Sequence, residues 1–344
     1  MSKRCSSKNE KESLISDIEI LPKPGASARF FSSLKVDNSV YLASLAFHGF
    51  HILKEELGVG NYGKVKRARQ GGKDIAVKII NRDNMPVEMA DKFLSREIQV
   101  LKEVQHKNIV KICRIFDYPR KVYIFMEYIE RGNLFDYLKE RTRLSEPESR
   151  YFYAQIISAV KYLHSLEIAH RDIKCENIML TMNAEIKLID FGFCKKTELT
   201  DSSSSTFCGS TAYAAPEVLQ GIPYDPFMYD IWSLGCVLYV MVTGTMPFNE
   251  HNVMKMVEDQ LNKVISYPVS LQLSESFVTL IDRMLEPDIF KRLTITEVQR
   301  SIWIQASKSS SPPNMSKAEN QPPQDDNIVT SSSSDSLGMF FGIE

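Results

Sequence analysis

The sequence predicts an α+β protein in which a small sheet-rich part precedes a larger helical one. Three observations carry that prediction. Up to about Met126 the apolar residues alternate as in strands, and one stretch alone has helical spacing. From about Leu134 onward helical spacing dominates, broken by two short strand-like runs at Ile178–Leu180 and Ile186–Ile189. Hydrophobic residues make up 43% and charged residues 25% of the 344, which is enough apolar material for a sizeable core.

Taken in order, residues 1–50 form an extension. Its first part is charged and serine-rich, and Pro22 and Pro24 frame a break. Val40 to Phe50 is more apolar and reads as a stretch that packs on the adjoining core. The core runs over residues 51–303, with a sheet-rich part to about 126 and a helical part from about 130. Ile75, Val77 and Ile79 alternate with Ala76, Lys78 and Ile80, as a strand requires. Leu94, Ile98, Leu101 and Val104 share one face of a helix over 91–104. Ile231 to Val242 reads as a buried helix, too short to span a bilayer. Residues 306–344 are rich in Ser, Pro, Asn, Gln and Asp, so their apolar content does not offset the entropy of ordering and the segment reads as disordered. It ends on the apolar Met339-Phe340-Phe341, which suits a short docking peptide or nothing at all.

Lys plus Arg number 42 against 43 for Asp plus Glu, a net charge of −1 that gives no pull toward nucleic acid or an anionic membrane. The six cysteines are scattered without a C-x-x-C pair, and the polar start shows no secretory signal. Reduced thiols in a cytoplasmic protein are expected, with nuclear access left open.

Four motifs carry chemistry. Leu57 to Val65 contains G-x-G-x-x-G at Gly58, Gly60 and Gly63, and Val65 lies two residues further on. Such backbone lies close over phosphate, although by itself the motif more often marks a glycine-rich hairpin without a ligand. A dinucleotide fold needs a helix directly after it, and here the chain continues as a strand to Gly71-Gly72, as in a hairpin. Lys78 sits in an apolar strand and Glu97 on the apolar face of the helix. The two charges answer each other if the helix packs on the sheet; otherwise Glu97 snorkels to solvent. His170-Arg-Asp-Ile-Lys-Cys-Glu-Asn177 is followed 13 residues after Asn177 by Asp190-Phe-Gly192. A hairpin between them, turning at Met182-Asn183, brings Asp172, Asn177 and Asp190 together, an oxygen set for a hard cation and a phosphate-bearing ligand. Ala215-Pro-Glu217 comes 23 residues after Gly192, across a loop with Ser202–Ser205 and Thr206 that would otherwise read as a linker.

In this order and spacing the motifs resemble the eukaryotic protein kinase family over about residues 51–303. The resemblance implies a two-lobed fold, with a five-stranded small lobe, a larger helical lobe and ATP between them. Gly58, Gly60 and Gly63 would cover the phosphates, with Leu57 also at the ATP, and Lys78 would hold the phosphates while paired with Glu97. Asp172 would be the catalytic base; Asn177 and Asp190 would hold Mg2+. Val65 and Ala76 would sandwich the adenine from above and Met179 from below. Glu127 and Ile129 would offer it backbone bonds, with Met126 guarding the deeper pocket.

Lys174 looks like the serine/threonine class, where it neutralises the transferring phosphoryl, and Ser210 matches a position near the substrate hydroxyl. Arg171 and Lys195 would pair with phosphate on Thr206, added by an upstream kinase or by autophosphorylation. Glu217 and Arg292 resemble a buried ion pair, and Asp230 the brace of the catalytic loop. Within the family the chain is similar to testis-specific serine/threonine kinases, linked to sperm development. It departs from them in its longer start and in Asn133, where an acidic residue is usual. Glu176 and Asp136 remain to read basic residues near a target serine or threonine. The resemblance implies a monomeric catalytic unit acting on protein substrates. Loss of Lys78, Asp172 or Asp190 would favour a catalytically dead scaffold, and all three are present.

Overall fold

A computed structural model describes residues 38–60, 63–85, 87–196, 210–306, 313 and 315. Thr206, Ser202–Ser205, Cys208, Asn61, Tyr62 and the apolar end of the tail lie outside the described residues.

The small lobe is a five-stranded antiparallel sheet with a helix on each face. Its strands are β1 (Phe50–Gly60), β2 (Gly63–Gln70), β3 (Lys73–Asn81), β4 (Ile112–Asp117) and β5 (Lys121–Glu127), in the spatial order β1-β2-β3-β5-β4. Gly71 and Gly72 both have positive φ, as the tight two-residue turn from β2 to β3 demands. The alternation in β3 sends Ile75, Val77 and Ile79 to one face, and Ala76, Lys78 and Ile80 to the other.

The first face is an aromatic cluster of Phe50, Phe116, Tyr123 and Phe125, covered by helix α1 (Asn38–Phe47) through Tyr41 and Leu45. Tyr41 stacks on Tyr118 with ring centroids 4.5 Å apart, and the Tyr118 hydroxyl donates to Ser44 Oγ at 2.9 Å. The apolar stretch before residue 51 is therefore part of this lobe. Helix α2 (Val87–Glu103) packs on the second face with Leu94, Ile98 and Leu101. It starts four residues earlier than its apolar spacing indicated.

The large lobe is helical. Its first helices are α3 (Leu134–Arg141), capped by the Asn133 side chain, and α4 (Glu146–Ser165), capped by Ser145. After the short strand β6 (Ile168–Ala169) comes the hairpin β7 (Ile178–Leu180) and β8 (Ile186–Leu188). Backbone bonds extend this hairpin on both sides. Arg131 N donates to Leu180 O at 3.1 Å, and Val110 N to Leu188 O at 3.0 Å. The segments that join the lobes are thereby tied to the strands that carry the site.

Strand β9 (Lys195–Lys196) pairs with β6. Helices α5 (Pro216–Leu219), α6 (Pro226–Thr243), α7 (Val253–Leu261), α8 (Glu275–Met284), α9 (Ile295–Arg300) and α10 (Ile302–Gln305) complete the lobe. Helix α6 has 18 residues and is apolar enough to cross a bilayer, so length does not argue against a span as the 231–242 run suggested. Its surroundings do: 89% of it is buried inside the lobe. The reading of 306–344 as uniformly disordered needs correcting at one point. Met315 is 4% exposed in the large-lobe core, and its carbonyl accepts from Arg131 Nε at 3.3 Å, because an apolar side chain finds a place beside the hinge.

Candidate active site

The site lies where the inner face of the small sheet meets the β7–β8 hairpin. Lys78 Nζ bonds Glu97 Oε1 at 2.8 Å and Asp190 Oδ1 at 2.9 Å. Helix α2 does pack on the sheet, so Glu97 answers Lys78 and does not reach to solvent. Burial by itself would lower the Lys78 pKa, but the two carboxylates outweigh it and hold the ammonium above its ordinary value. In return Lys78 holds the Asp190 carboxyl well below the usual range, against the opposing effect of burial.

Asp172 and Asn177 sit on the loop between β6 and β7. Asn177 Nδ2 donates to Asp172 O and to Asp172 Oδ2, both at 2.8 Å. Ile189 N donates to Asn177 O at 2.9 Å, which brings the exit of the hairpin, and Asp190 next to it, back to the loop. The Asn177 amide nitrogen is committed to Asp172, so its carboxamide oxygen is the group left for a cation. With the ionised Asp190 carboxyl this makes an all-oxygen donor set for a hard divalent ion, completed by ligand oxygens. Lys174 Nζ lies 3.1 Å from Asp172 Oδ2 and donates to Ser210 Oγ at 3.0 Å.

Arg171 (φ +63°) and Asp190 (φ +61°) both hold left-handed backbone that side chains normally avoid, at a cost on the order of 1–3 kcal/mol each. Asp230 of α6 stabilises the first of these. It accepts from His170 N at 2.9 Å and Arg171 N at 2.8 Å. Arg171 Nε in turn donates to Phe193 O at 2.7 Å, beside Asp190-Phe-Gly192. His164 Nε2 also meets Asp230, at 2.9 Å; sequence spacing did not single out His164, although it lies one helix-end before His170. Glu217 and Arg292 form the expected ion pair at 2.7 Å.

The glycines divide by role. A Cβ on Gly63 would meet Ile79 O at 2.1 Å, so Gly63 is required by the close crossing of β2 and β3. Gly58 has open space around it, and Gly60 pairs with Gly63. Val65 pairs with Lys78, and Ala76 pairs with Met126, so these residues line the sheet above the hairpin. Leu57 lies exposed on β1. Met179, on β7 below, bridges to Asn133 beside the hinge. Glu127 N donates to Lys111 O at 3.0 Å, so a bond from Glu127 backbone to a base runs through its carbonyl. Ile129 lies two residues further along the hinge, with its side chain buried.

Glu176 is half-buried with Oε2 unpartnered among the described residues, and burial raises its pKa. Asp136 instead accepts from Asn133 Nδ2 at 2.9 Å. Lys195 opens β9, and its role toward Thr206 lies outside the described residues.

Comparison with known proteins agrees with this geometry. The family of the protein kinase domain matches residues 51–304. Testis-specific serine/threonine-protein kinase 1 of Mus musculus is 46% identical over 262 residues, covering 74% of this chain and 72% of the relative. Testis-specific serine/threonine-protein kinase 2 of the same species is 44% identical over 266 residues, 75% of this chain and 74% of the relative. Testis-specific serine/threonine-protein kinase 3 of Homo sapiens is 40% identical over 256 residues, 73% and 95%. The described architecture, the arrangement around Lys78 and Asp172, and a domain match spanning most of the sequence agree, and the chain belongs to the protein kinase family as a protein serine/threonine kinase.

Proposed function

We propose that the chain transfers the γ-phosphoryl group of ATP to serine or threonine hydroxyls through Asp172, Lys174 and Lys78, with Asn177 and Asp190 holding Mg2+. The observation that carries this reading is the line Asp190–Lys78–Glu97 meeting the line Asn177–Asp172–Lys174–Ser210 at one cleft. The oxygen-only donor set of Asn177 and Asp190 fits Mg2+, which when bound neutralises phosphate charge. Lys78 grips the α- and β-phosphates, kept charged and aimed by Glu97. Asp172 orients the substrate hydroxyl and accepts its proton as the oxygen bonds to the γ-phosphorus. The bond from that phosphorus to the bridging oxygen breaks, and ADP leaves with the electron pair. Lys174 offsets the charge on the moving phosphoryl beside Ser210.

The adenine lies between Val65 and Ala76 above and Met179 below, bonded to the backbone of Glu127 and Ile129. Gly58 and Gly60 cover the phosphates, flanked by Leu57. Glu176, half-buried and unpartnered at one oxygen among the described residues, is the acidic group that favours basic residues near the target site. Phosphate on Thr206 pairs with Arg171 and Lys195 and switches the enzyme on. A role in sperm development is the reading supported by the likeness to testis-specific kinases, and the scattered cysteines without a C-x-x-C pair favour a cytoplasmic place for it.

The test is γ-phosphate transfer from Mg·ATP to a basic protein, with phosphoamino-acid analysis, comparing wild type with Asp172→Asn. Label on serine or threonine in wild type only is expected; equal labelling by Asp172→Asn removes the base assignment. Thr206→Ala is expected to lower turnover about 10-fold or more, since the phosphate-paired loop is lost. Equal turnover of phosphorylated and unphosphorylated enzyme rules out the loop as the switch.

A further inference from the structure

The segment from Ser210 to Ala215 is stapled from two sides. On the catalytic-loop side Lys174 Nζ donates to Ser210 Oγ at 3.0 Å. On the other side, two consecutive carbonyls are taken by side chains of two different helices. Ser233 Oγ of α6 donates to Tyr213 O at 3.1 Å, and Gln260 Nε2 of α7 donates to Ala214 O at 3.0 Å.

Gln260 is the unusual member of this set. It is 0% exposed, on the same buried side of its helix as Met256, while Val253, Met254 and Leu261 are exposed. Its Oε1 is buried with no hydrogen-bond partner among the described residues. A buried, unpaired amide oxygen is unfavourable, and Met or Leu would fill the same space without that cost. What the glutamine adds is the bond to Ala214. Peptide planes are rigid, so fixing the Tyr213 and Ala214 carbonyls in succession leaves the backbone between Ser210 and Pro216 one orientation. Ser210 lies beside Lys174 and Asp172, so the backbone after it borders the place of the substrate hydroxyl.

We infer that Gln260 is a positioning residue for the protein substrate: through the Ala214 carbonyl it holds the segment that receives the residue adjoining the target serine or threonine. This rests on the reading of Asp172, Lys174 and Ser210 as the hydroxyl site. The groups assigned to the adenine and to the α- and β-phosphates lie on β1, β2, β3, the hinge and β7, away from Gln260 and Ala214, so the effect falls on the peptide and not on the nucleotide.

Gln260→Met and Gln260→Leu test it, assayed with Mg·ATP and the serine peptide that wild type phosphorylates best in an arrayed library. The peptide KM is expected to rise about 5- to 20-fold, the effect of one lost hydrogen bond. The KM for ATP stays within about twofold, and the melting temperature stays within about 4 °C of wild type, because the relief of the unpaired Oε1 offsets the lost bond to Ala214. Discrimination among peptides that differ only at the residue after the target serine weakens in both variants. An unchanged peptide KM with unchanged discrimination overturns the inference. So does a parallel fall in melting temperature, in kcat and in apparent ATP affinity, which marks a merely structural side chain. Asp172→Asn, run alongside, separates the two readings. If it keeps wild-type turnover the hydroxyl site itself is misassigned, whereas a silent Gln260→Met beside a dead Asp172→Asn removes this inference alone.

Discussion

Two ion pairs, one in the cleft and one in the large lobe, use the same chemistry to opposite ends. Arg292 has no exposed side-chain surface, and its guanidinium is committed on every side. It donates to both Glu217 oxygens, to Met228 O and to Glu286 O, and it lies 5.0 Å over the Trp232 ring. Lys78 is 25% exposed and shared between Glu97, which is buried, and Asp190, whose side chain is 40% exposed. A closed pair of the first kind fixes helix positions. An open pair of the second kind holds its charges ready to meet a ligand, because the half-exposed carboxylate can give up part of its contact at little desolvation cost.

Several substitutions break or sharpen that contrast. The largest effect is expected at the cleft. Lys78→Met or Asp190→Ala reduces phosphoryl transfer by about 10²–10³-fold or more while the protein stays folded, as stopped ³²P transfer and circular dichroism will read. Substantial residual turnover in the double variant contradicts the assignment. Arg292→Leu shows the reverse pattern. It strands the Glu217 carboxylate and costs about 3–5 kcal/mol in urea unfolding. A loss comparable to that of Lys78→Met erases the distinction between the pairs.

A smaller effect is expected from pH. The Asp190 carboxyl is held below its unfolded value, mainly by the Lys78 charge. Its contribution to stability is therefore fully present above the ordinary aspartate pKa of about 4 and is lost as pH falls through the lower folded value. The stability difference between wild type and Asp190→Asn is expected to be larger at pH 5 than at pH 2.5. A difference that does not change with pH means that Lys78 does not hold Asp190 down.

The smallest effect concerns thiols, with Cys5 and Cys208 replaced by serine. Burial pushes Cys175 up to about 12 and also raises Cys194 and Cys236 well above the ordinary thiol value, all in the large lobe. Cys113 on β4 is also raised by burial, but it is only half-buried where the other three are buried. Iodoacetamide at pH 8 is expected to modify Cys113 first. The three large-lobe thiols then react no faster than the protein unfolds. Early labelling of Cys175 would mean that the large lobe opens as readily as the small one.

Much of the fold and site was legible in the sequence because the information was local or periodic. The β3 alternation, the buried α6 run and the β7–β8 hairpin come from side-chain spacing, and the Asp172-to-Asp190 interval constrains a hairpin whatever surrounds it. Lys78 and Glu97 were legible as a pair because two charges on two apolar faces have few other solutions. Gly63 was legible as part of a glycine motif, but not for its reason, the approach of Ile79 O. Gln260, His164 and Met315 carried no local signal. A glutamine on a short helix, a histidine at a helix end and a methionine in a polar tail look ordinary until a distant partner arrives.

By itself, then, the sequence determined the order of strands and helices, the two charged faces and the chemistry-bearing intervals, because these depend on neighbours within a few turns of chain. Only the tertiary structure decided that α1 closes the outer face of the small sheet and that Met315 lies against Arg131. It alone brought Gln260 to the Ala214 carbonyl, 46 positions away. Each of those contacts depends on burying a particular side chain against residues far along the chain, and whether that burial is favourable is settled only when the lobes have formed around it.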